Sequence, residues 1–207
     1  MSTQADWKAR PAGPEYEATR RAVVEAAEAI VREQGVRALR FESVADRVGL
    51  HRSSLYRYFD SKEELLTAVV VHASLRVGQS VIAQLGADAS PRTFLVEGLT
   101  LALAELASDP VHRSLLDPSA SEAMARVGGR ALTEGIRPLV EPAFVAAAEA
   151  GILRPGVSPD DALRWLQIVA VGLLRAPATS NDESPDETTA DLTRLLDLML
   201  VPTLFTP

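Results

Sequence analysis

A chain of 207 residues that is 47% hydrophobic and 24% charged has the composition of a soluble globular protein with a substantial core. It has no cysteine, which excludes disulfide bonds, thiolate metal sites and cysteine nucleophiles and is typical of a cytoplasmic protein. No apolar run reaches the roughly 18 residues of a membrane span, and the polar N-terminus predicts no signal peptide. The net charge of −7 falls entirely on residues 67–207, because residues 1–66 hold 11 basic and 11 acidic side chains.

The first elements in chain order are an arm and a helix. Residues 1–14 contain two prolines and a glycine and are predicted to form a flexible arm. A helix is predicted from about Glu15 to Gln34, ended by Gly35. Its inner face is predicted to carry Ala22, Val23, Ala26, Ala27, Ile30 and Val31.

Two short helical patterns follow, separated by a turn. Their apolar residues fall on one face each: Val44, Ala45 and Val48 on the first helix, and Leu55, Tyr58 and Phe59 on the second. Ala45 is small enough to let a second helix cross closely, and Gly49 can take the positive φ of a sharp turn. Two helices that cross in this way form a helix-turn-helix, whose second helix enters the DNA major groove. The segment therefore predicts a DNA-binding protein.

The charge around the second short helix supports this interpretation. Residues 47–62 carry Arg47, Arg52, Arg57 and Lys62 against Asp60 alone. A local basic patch matters more for contact with phosphate than the total charge of the chain does. Taken alone, the same patch would also fit an ordinary solvated face.

The rest of the chain is predicted to be helical. A fourth helix opens at Ser61 with a Ser61–Glu64 capping box and continues to about Leu85. Further helices are predicted at about 91–107, 111–126, 130–150, 159–175 and 190–205, with breaks at Asp109-Pro110 and Gly128-Gly129 and possible kinks at Pro138 and Pro142. The helix at 159–175 is apolar nearly all round, which predicts burial in a core or against a partner chain. Residues 176–189 read as a polar, acidic loop.

The run LYRYFDSKEELL, residues 55–66, resembles the motif L-Y-x-[HY]-F-x-[SN]-K-x-x-L of the tetracycline-repressor-like (TetR) family of bacterial transcriptional regulators. The specific match covers residues 15–66, and the remainder is similar in helix count and in the segment AAEAGILRPGVSPDDA. The resemblance implies an all-α protein of about nine helices. It implies a three-helix helix-turn-helix domain at 15–66 and a helical effector-binding and dimerisation domain at 67–207. It also implies a homodimer that binds a palindromic operator and releases it when a small effector binds.

The resemblance and the chemistry of the side chains together give candidate DNA contacts. Arg52 is the best candidate base reader, because a guanidinium can bind the O6/N7 edge of guanine with two hydrogen bonds. Lys62 begins the fourth helix, where unpaired N–H groups and the helix dipole favour a phosphate. Tyr56 matches the family's phosphate-binding tyrosine. The remaining candidates are Ser53 and Ser54 for close approach to bases or phosphate, and Arg40, Arg57 and Tyr58 for the DNA backbone.

Two positions depart from the family's usual pattern. Arg40 stands where family members usually have a Thr or Ser that caps the second helix, and His51 stands where the third helix usually has a Ser or similar cap. Neither change prevents folding, because a helix cap contributes only about 1 kcal/mol. Both change the groups that are expected near the phosphates.

An enzyme is not predicted. The three histidines lack the spacing of metal ligands, and the chain has no G-x-S-x-G, P-loop or dinucleotide-binding motif, so no cofactor is expected. The sequence predicts a cytoplasmic, ligand-responsive repressor with a small, largely apolar effector. Candidate effector contacts are Phe94, Phe144, Trp165 and Gln167. The alternative is a helical ligand-binding or adaptor protein that does not bind an operator.

Overall fold

The computed structural model describes residues 13–86, 89–116, 122–175, 193–198 and 201–205. In these ranges the chain is helical, and its one strand-like pairing is an isolated antiparallel bridge between Leu153 and Phe205. The all-α class predicted from the sequence is confirmed. The chain divides into two compact units, Met1–Val69 and Val70–Pro207. The predicted arm lies almost wholly outside the described residues.

The first unit is built from one long helix and shorter helical elements around one apolar core. Its elements are α1 (Pro14–Gln34), a 3-10 turn (Val36–Ala38), α2 (Phe41–Val48), α3 (Arg52–Leu55) and the start of α4 (Lys62–Leu85). The side chains that are almost fully buried are Val23, Ala27, Val31, Leu39, Val44, Ala45, Leu55, Phe59 and Leu65. They come from every helix of the unit, so each short helix is held by packing rather than by its own length.

The inner face of α1 differs slightly from the prediction. Val23, Ala26, Ala27, Ile30 and Val31 are buried as expected, but Ala22 is exposed and Val24 is buried. Successive residues advance roughly 100° around a helix. A face centred near Ala27 therefore includes Val24 and leaves Ala22 on its flank.

The turn between α2 and α3 forms as predicted. Gly49 adopts the left-handed conformation with φ 69° and ψ 29°, and the N–H of Leu50 donates to the carbonyl of Ala45 at 2.9 Å. The second short helix is shorter than its apolar pattern indicated. Regular α3 ends at Leu55, and the chain then continues as a tight turn whose Tyr58 N–H donates to the Leu55 carbonyl at 2.9 Å.

The second unit consists of the rest of α4 and longer helices. They are α5 (Pro91–Ser108), α6 (Pro110–Leu116), α7 (Glu122–Glu149) and α8 (Pro159–Arg175), followed by helical residues at 193–198 and at Val201–Leu204. The break at Asp109-Pro110 is confirmed, since α5 ends and α6 begins there. The loop predicted at 176–189 lies outside the described residues.

The predicted break at Gly128-Gly129 is wrong, because α7 runs through it as one helix. Pro138 and Pro142 also lie inside α7. Each glycine costs a helix only about 1 kcal/mol, which tertiary packing can offset. That packing is close: a Cβ added at Gly135 would lie 2.8 Å from the Cβ of Ser74 on α4. The absence of a side chain at Gly135 lets α7 approach α4.

Helices α5, α7 and α8 and the C-terminal residues share one apolar core. Its buried members include Val96, Leu99, Leu103, Phe144, Ala147, Leu163, Leu166, Leu196 and Phe205. Within one chain, α8 is buried on the face that carries Leu163, Leu166 and Ala170. Trp165 and Ile168 on another face are 40% and 58% exposed.

A buried polar cluster joins α4 to the α5–α6 corner. The Asp109 carboxylate accepts hydrogen bonds from Arg76 Nη2 at 2.7 Å and from the backbone N–H of Val111 at 2.9 Å. Its Oδ1 lies 3.1 Å from His112 Nδ1, and His112 Nε2 lies 3.0 Å from the hydroxyl of Ser74. Buried polar groups are costly unless they are paired. Asp109, at the end of α5, therefore pairs with groups from both α4 and α6.

One described helix, α4, is long and apolar enough to cross a membrane by length and composition. However, 44% of that apolar stretch is buried inside the protein. Val69, Val70 and Ala73 are completely buried. The apolar character of α4 is thus that of a core helix.

Replacing Asp109 should destabilise the protein strongly. Asp109→Ala leaves the backbone N–H of Val111 and the ring of His112 without their shared acceptor, so we expect a loss of about 2–4 kcal/mol. The measurement is urea unfolding at fixed protein concentration. Glu97→Ala, at an exposed position of α5, is the matched control and should change stability by less than about 0.5 kcal/mol. Equal effects of the two substitutions would contradict this role of Asp109.

Candidate nucleic-acid interface and effector cavity

The α3 segment has a buried side and an exposed side. Leu55 and Phe59 are 0% and 1% exposed, which confirms the predicted inward direction. Arg20 of α1 lies over the ring of Phe59, with 4.8 Å between the guanidinium carbon and the ring centroid. On the outer side, Arg52, Ser53, Tyr56 and Arg57 are exposed and Ser54 is half-buried. The exposed side chains point away from the core and can reach a bound partner.

Arg52 is held by side chains on both sides. Its Nε lies 2.8 Å from Glu42 Oε1 on α2, and its Nη2 donates to the hydroxyl of Tyr56 at 3.3 Å. Tyr56 in turn packs on Phe41, with 4.9 Å between the ring centroids. The first turn of α2 therefore supports both Arg52 and Tyr56.

The turn after α3 is fixed by α1. The hydroxyl of Tyr16 donates to the backbone carbonyl of Arg57 at 3.0 Å. The ring of Tyr16 packs on that of Tyr58, with centroids 4.7 Å apart. Tyr58 is accordingly half-buried, and Arg57 projects outward.

The start of α4 has the predicted capping box. The hydroxyl of Ser61 accepts the backbone N–H of Glu64 at 3.1 Å. The Glu64 carboxylate reaches back to the N–H of Asp60 at 2.6 Å, one residue earlier than in the usual reciprocal arrangement. Lys62 is the first residue of α4 and is exposed. Its ammonium group lies beside a helix N-terminus, which attracts anions.

The two unusual cap residues occupy the N-cap positions predicted from the sequence. Arg40 caps α2 and His51 caps α3, and neither side chain makes a capping hydrogen bond. Both residues are exposed. Arg40 therefore keeps its charge at the surface beside the N-terminus of α2.

The basic patch is partly neutralised. Arg47 forms two hydrogen bonds to Glu33 of α1, at 3.0 and 2.8 Å. These bonds, together with the charge of Arg47, hold the pKa of the Glu33 carboxyl below its ordinary value and raise the pKa of Arg47. In the described part of the chain, no acidic side chain is within ion-pair distance of Arg57 or Lys62. The cations most available to phosphate are thus Arg57 and Lys62.

The second unit contains a cavity of about 70 Å³ between its helices. It is lined by Gly78, Val81, Ile82, Phe94, Gly98, Leu99, Ala102, Leu139, Val140 and Leu166. None of these residues has a polar side chain. The lining selects against charged ligands, because a charge would lose its hydration without finding a partner.

Of the four predicted effector contacts, Phe94 lines this cavity. Phe144 is buried in the main core of the unit, Trp165 is 40% exposed, and Gln167 is half-buried outside the lining. The candidates were chosen from the sequence for their size or polarity, whereas the lining also includes the small residues Gly78, Gly98 and Ala102 on α4 and α5. At Gly78 and Gly98 the lack of a side chain lets Leu139 and Leu85 pack closely.

The described residues contain no group of three or more histidine, cysteine, aspartate or glutamate side chains that could hold a metal. Ser74, His112 and Asp109 follow one another at hydrogen-bond distance in the order hydroxyl, imidazole, carboxylate. All three are buried, with exposures of 1%, 4% and 6%, and none lines the cavity. In the described residues this hydroxyl is open neither to solvent nor to the cavity, and the cluster pairs buried polar groups with one another.

Comparison with known proteins agrees with this architecture. Residues 23–69 match the family model described as bacterial regulatory proteins, tetR family. Two relatives from Mycobacterium tuberculosis strains, both named as uncharacterized HTH-type transcriptional regulators, are 24% identical over 161 residues, covering 75% of this chain and 74% of theirs.

Solved structures share the fold. RolR in complex with resorcinol aligns with a TM-score of 0.65 at 17% identity, over 86% of this chain and 87% of its own. SmeT, the repressor of the Stenotrophomonas maltophilia multidrug efflux pump SmeDEF, aligns with a TM-score of 0.51 at 25% identity, over 92% of each chain. The two relatives are thus named as transcriptional regulators and SmeT as a repressor.

Proposed function

We propose that this chain, whose residues 23–69 match the tetR family model, is a bacterial transcriptional regulator of that family and acts as a cytoplasmic, ligand-responsive repressor that binds a palindromic operator as a homodimer. The observation that carries this proposal is the outer side of the α3 segment. Arg52, Tyr56 and Lys62 are exposed there, above the buried Leu55 and Phe59. A short helix with a guanidinium at its start and a lysine at the next helix N-terminus has the groups that a major groove and its phosphates require.

The proposed contacts divide into base contacts and phosphate contacts. Arg52 reads a guanine, and Ser53 and Ser54 allow the helix to approach the bases closely. Lys62 and Tyr56 bind phosphates on the flanking backbone. Arg57, Tyr58 and Arg40 are the further phosphate contacts. Arg40 and Arg57 are exposed, which supports this role, whereas Tyr58 is half-buried and its ring packs on Tyr16.

Base and phosphate contacts should respond differently to substitution. Lys62→Ala should weaken binding to all sequences alike and lower the salt slope by about 1. Arg52→Ala should relax the preference at one base pair of each half-site, at a cost of about 1–3 kcal/mol there. The measurement is a binding titration with a selected operator and its single-base variants at several salt concentrations. An unchanged motif for Arg52→Ala would contradict its role as base reader.

The alternative function, a ligand-binding or adaptor protein that does not bind an operator, predicts a different result in the same experiment. Such a protein would bind no duplex more tightly than random DNA. Its Lys62→Ala and Arg52→Ala variants would be indistinguishable. The exposed basic groups at the start of α3 and α4 favour the DNA-binding function.

The homodimer is supported by exposed apolar side chains on two helices of the second unit. Trp165 and Ile168 of α8 are 40% and 58% exposed, and Leu195 and Leu198 in the helical residues 193–198 are 40% and 59% exposed. Large exposed apolar side chains are common at protein interfaces. Two helices from each copy would form a four-helix interface, in which the same face of each copy meets the other.

A charge in this face should prevent dimerisation. Ile168→Asp places a carboxylate where apolar side chains meet, so we expect a monomer at micromolar concentration in sedimentation equilibrium. Glu149→Asp, a conservative change at an exposed residue of α7, is the control and should remain dimeric. A wild-type protein that sediments as a monomer would contradict the homodimer itself.

The effector is proposed to occupy the apolar cavity of the second unit. RolR, whose structure contains resorcinol, has the same fold. The wholly apolar lining here favours a small, uncharged ligand. Helix α4 contributes Gly78, Val81 and Ile82 to the lining and begins at Lys62, so a ligand that shifts α4 acts on the helix that carries a phosphate contact. The coupling expected between ligand and operator is about 1–3 kcal/mol, and each must weaken the other equally.

Filling the cavity should abolish the response to ligand. Ala102→Leu adds an isopropyl group to the lining, whereas Ala104→Leu adds the same group at an exposed position of the same helix. Small aromatic and aliphatic compounds that release the operator from the wild type should release it from Ala104→Leu and fail with Ala102→Leu. Thermal unfolding checks the overpacked variant, which can lose about 1–3 kcal/mol. An equal response of both variants would place the effector elsewhere.

A further inference from the structure

An acidic side chain lies on the surface proposed to face DNA. Glu42, in the first turn of α2, is 55% exposed, and its carboxylate lies 2.8 Å from Nε of Arg52. A carboxylate on this surface would weaken DNA binding by repelling phosphates. Another effect of Glu42 on DNA binding would offset that cost. An exposed ion pair contributes little to stability. The pair is therefore better explained by what it does to the guanidinium of Arg52.

The contacts of Arg52 use one edge of its guanidinium. Nε meets Glu42, and Nη2 donates to the hydroxyl of Tyr56, so the engaged edge is the side edge formed by Nε and Nη2. The end edge, formed by Nη1 and the second hydrogen of Nη2, has no protein partner in the described ranges. This end edge is a two-pronged donor, which matches the O6 and N7 acceptors of guanine.

We propose that Glu42 is a positioning residue that sets the base specificity of Arg52. It holds the side edge of the guanidinium and directs the end edge towards a guanine in the major groove. The inference rests on the proposed function, because it assumes that α3 meets DNA. Glu42 also carries a negative charge beside Arg52, which disfavours the competing arrangement in which Arg52 turns to a nearby phosphate.

Tyr56 gives the arrangement a second component. Its hydroxyl accepts a hydrogen bond from Arg52 and keeps its own hydrogen to donate to a phosphate. Its ring packs on Phe41, the neighbour of Glu42 at the start of α2. One turn of α2 thus fixes the group that reads a base and a group that binds the backbone, and it sets the distance between them.

The test compares Glu42→Gln with Glu33→Gln. Both substitutions remove one negative charge from the same unit and release one arginine from an ion pair, Arg52 in the first variant and Arg47 in the second. Each variant is titrated with three duplexes at several salt concentrations. These are the operator selected by the wild type, the same operator with the Arg52-dependent base pair replaced, and random DNA. Thermal unfolding confirms that both variants are folded.

Glu42→Gln should lower the discrimination at the Arg52-dependent base pair by about tenfold, within the range of one bidentate contact. It should also tighten binding to random DNA and steepen the salt slope by about 0.9, because the released arginine can bind a phosphate. Glu33→Gln should tighten binding to all three duplexes alike and leave the discrimination unchanged.

The outcomes separate the two levels of the proposal. If the wild type selects a motif and Glu42→Gln retains its full discrimination, the positioning role of Glu42 is wrong and the proposed function stands. If both variants lose discrimination equally, the effect is one of net charge and the inference is again wrong. If the wild type selects no motif, the proposed function fails and the inference fails with it.

Discussion

The burial of Leu55 and Phe59 determines which side chains of the recognition segment face outward. Regular α3 is only four residues long and cannot be stable on its own, so packing of these two residues fixes its orientation. With Leu55 and Phe59 buried, Arg52 at the start of α3 and Tyr56 just after it remain exposed. The proposed base and phosphate contacts therefore depend on an apolar anchor that itself touches no DNA.

In the first unit, the positive surface depends on which basic side chains are unpaired, because ion pairs neutralise some of them. Arg47 is bound by Glu33 and Arg52 by Glu42, so a count of basic residues overstates the positive surface. Arg57 and Lys62 supply it instead. A unit that is neutral in sum can still present cations where phosphates lie and an oriented guanidinium where bases lie.

Local signals predicted local structure well. The positive φ of Gly49, the Ser61–Glu64 capping box and the exposure of Lys62 each depend on neighbouring residues, and each was recognisable in the sequence. The ion pair between Glu42 and Arg52 joins two helices, so the spacing of residues within one helix could not predict it.

The break predicted at Gly128-Gly129 failed because a glycine lowers the stability of a helix by only about 1 kcal/mol, and α7 continues through both glycines. The cavity is lined by apolar side chains from four helices, and Phe144, Trp165 and Gln167, which were chosen for their size or polarity, lie outside that lining.

The most direct measurement is the selection of bound sequences from random duplex DNA by the wild-type protein. We predict an inverted repeat whose half-sites each contain a required guanine and lie about one helical turn, or a multiple of it, apart. Enrichment of no motif at a salt concentration where the protein still binds DNA would contradict it.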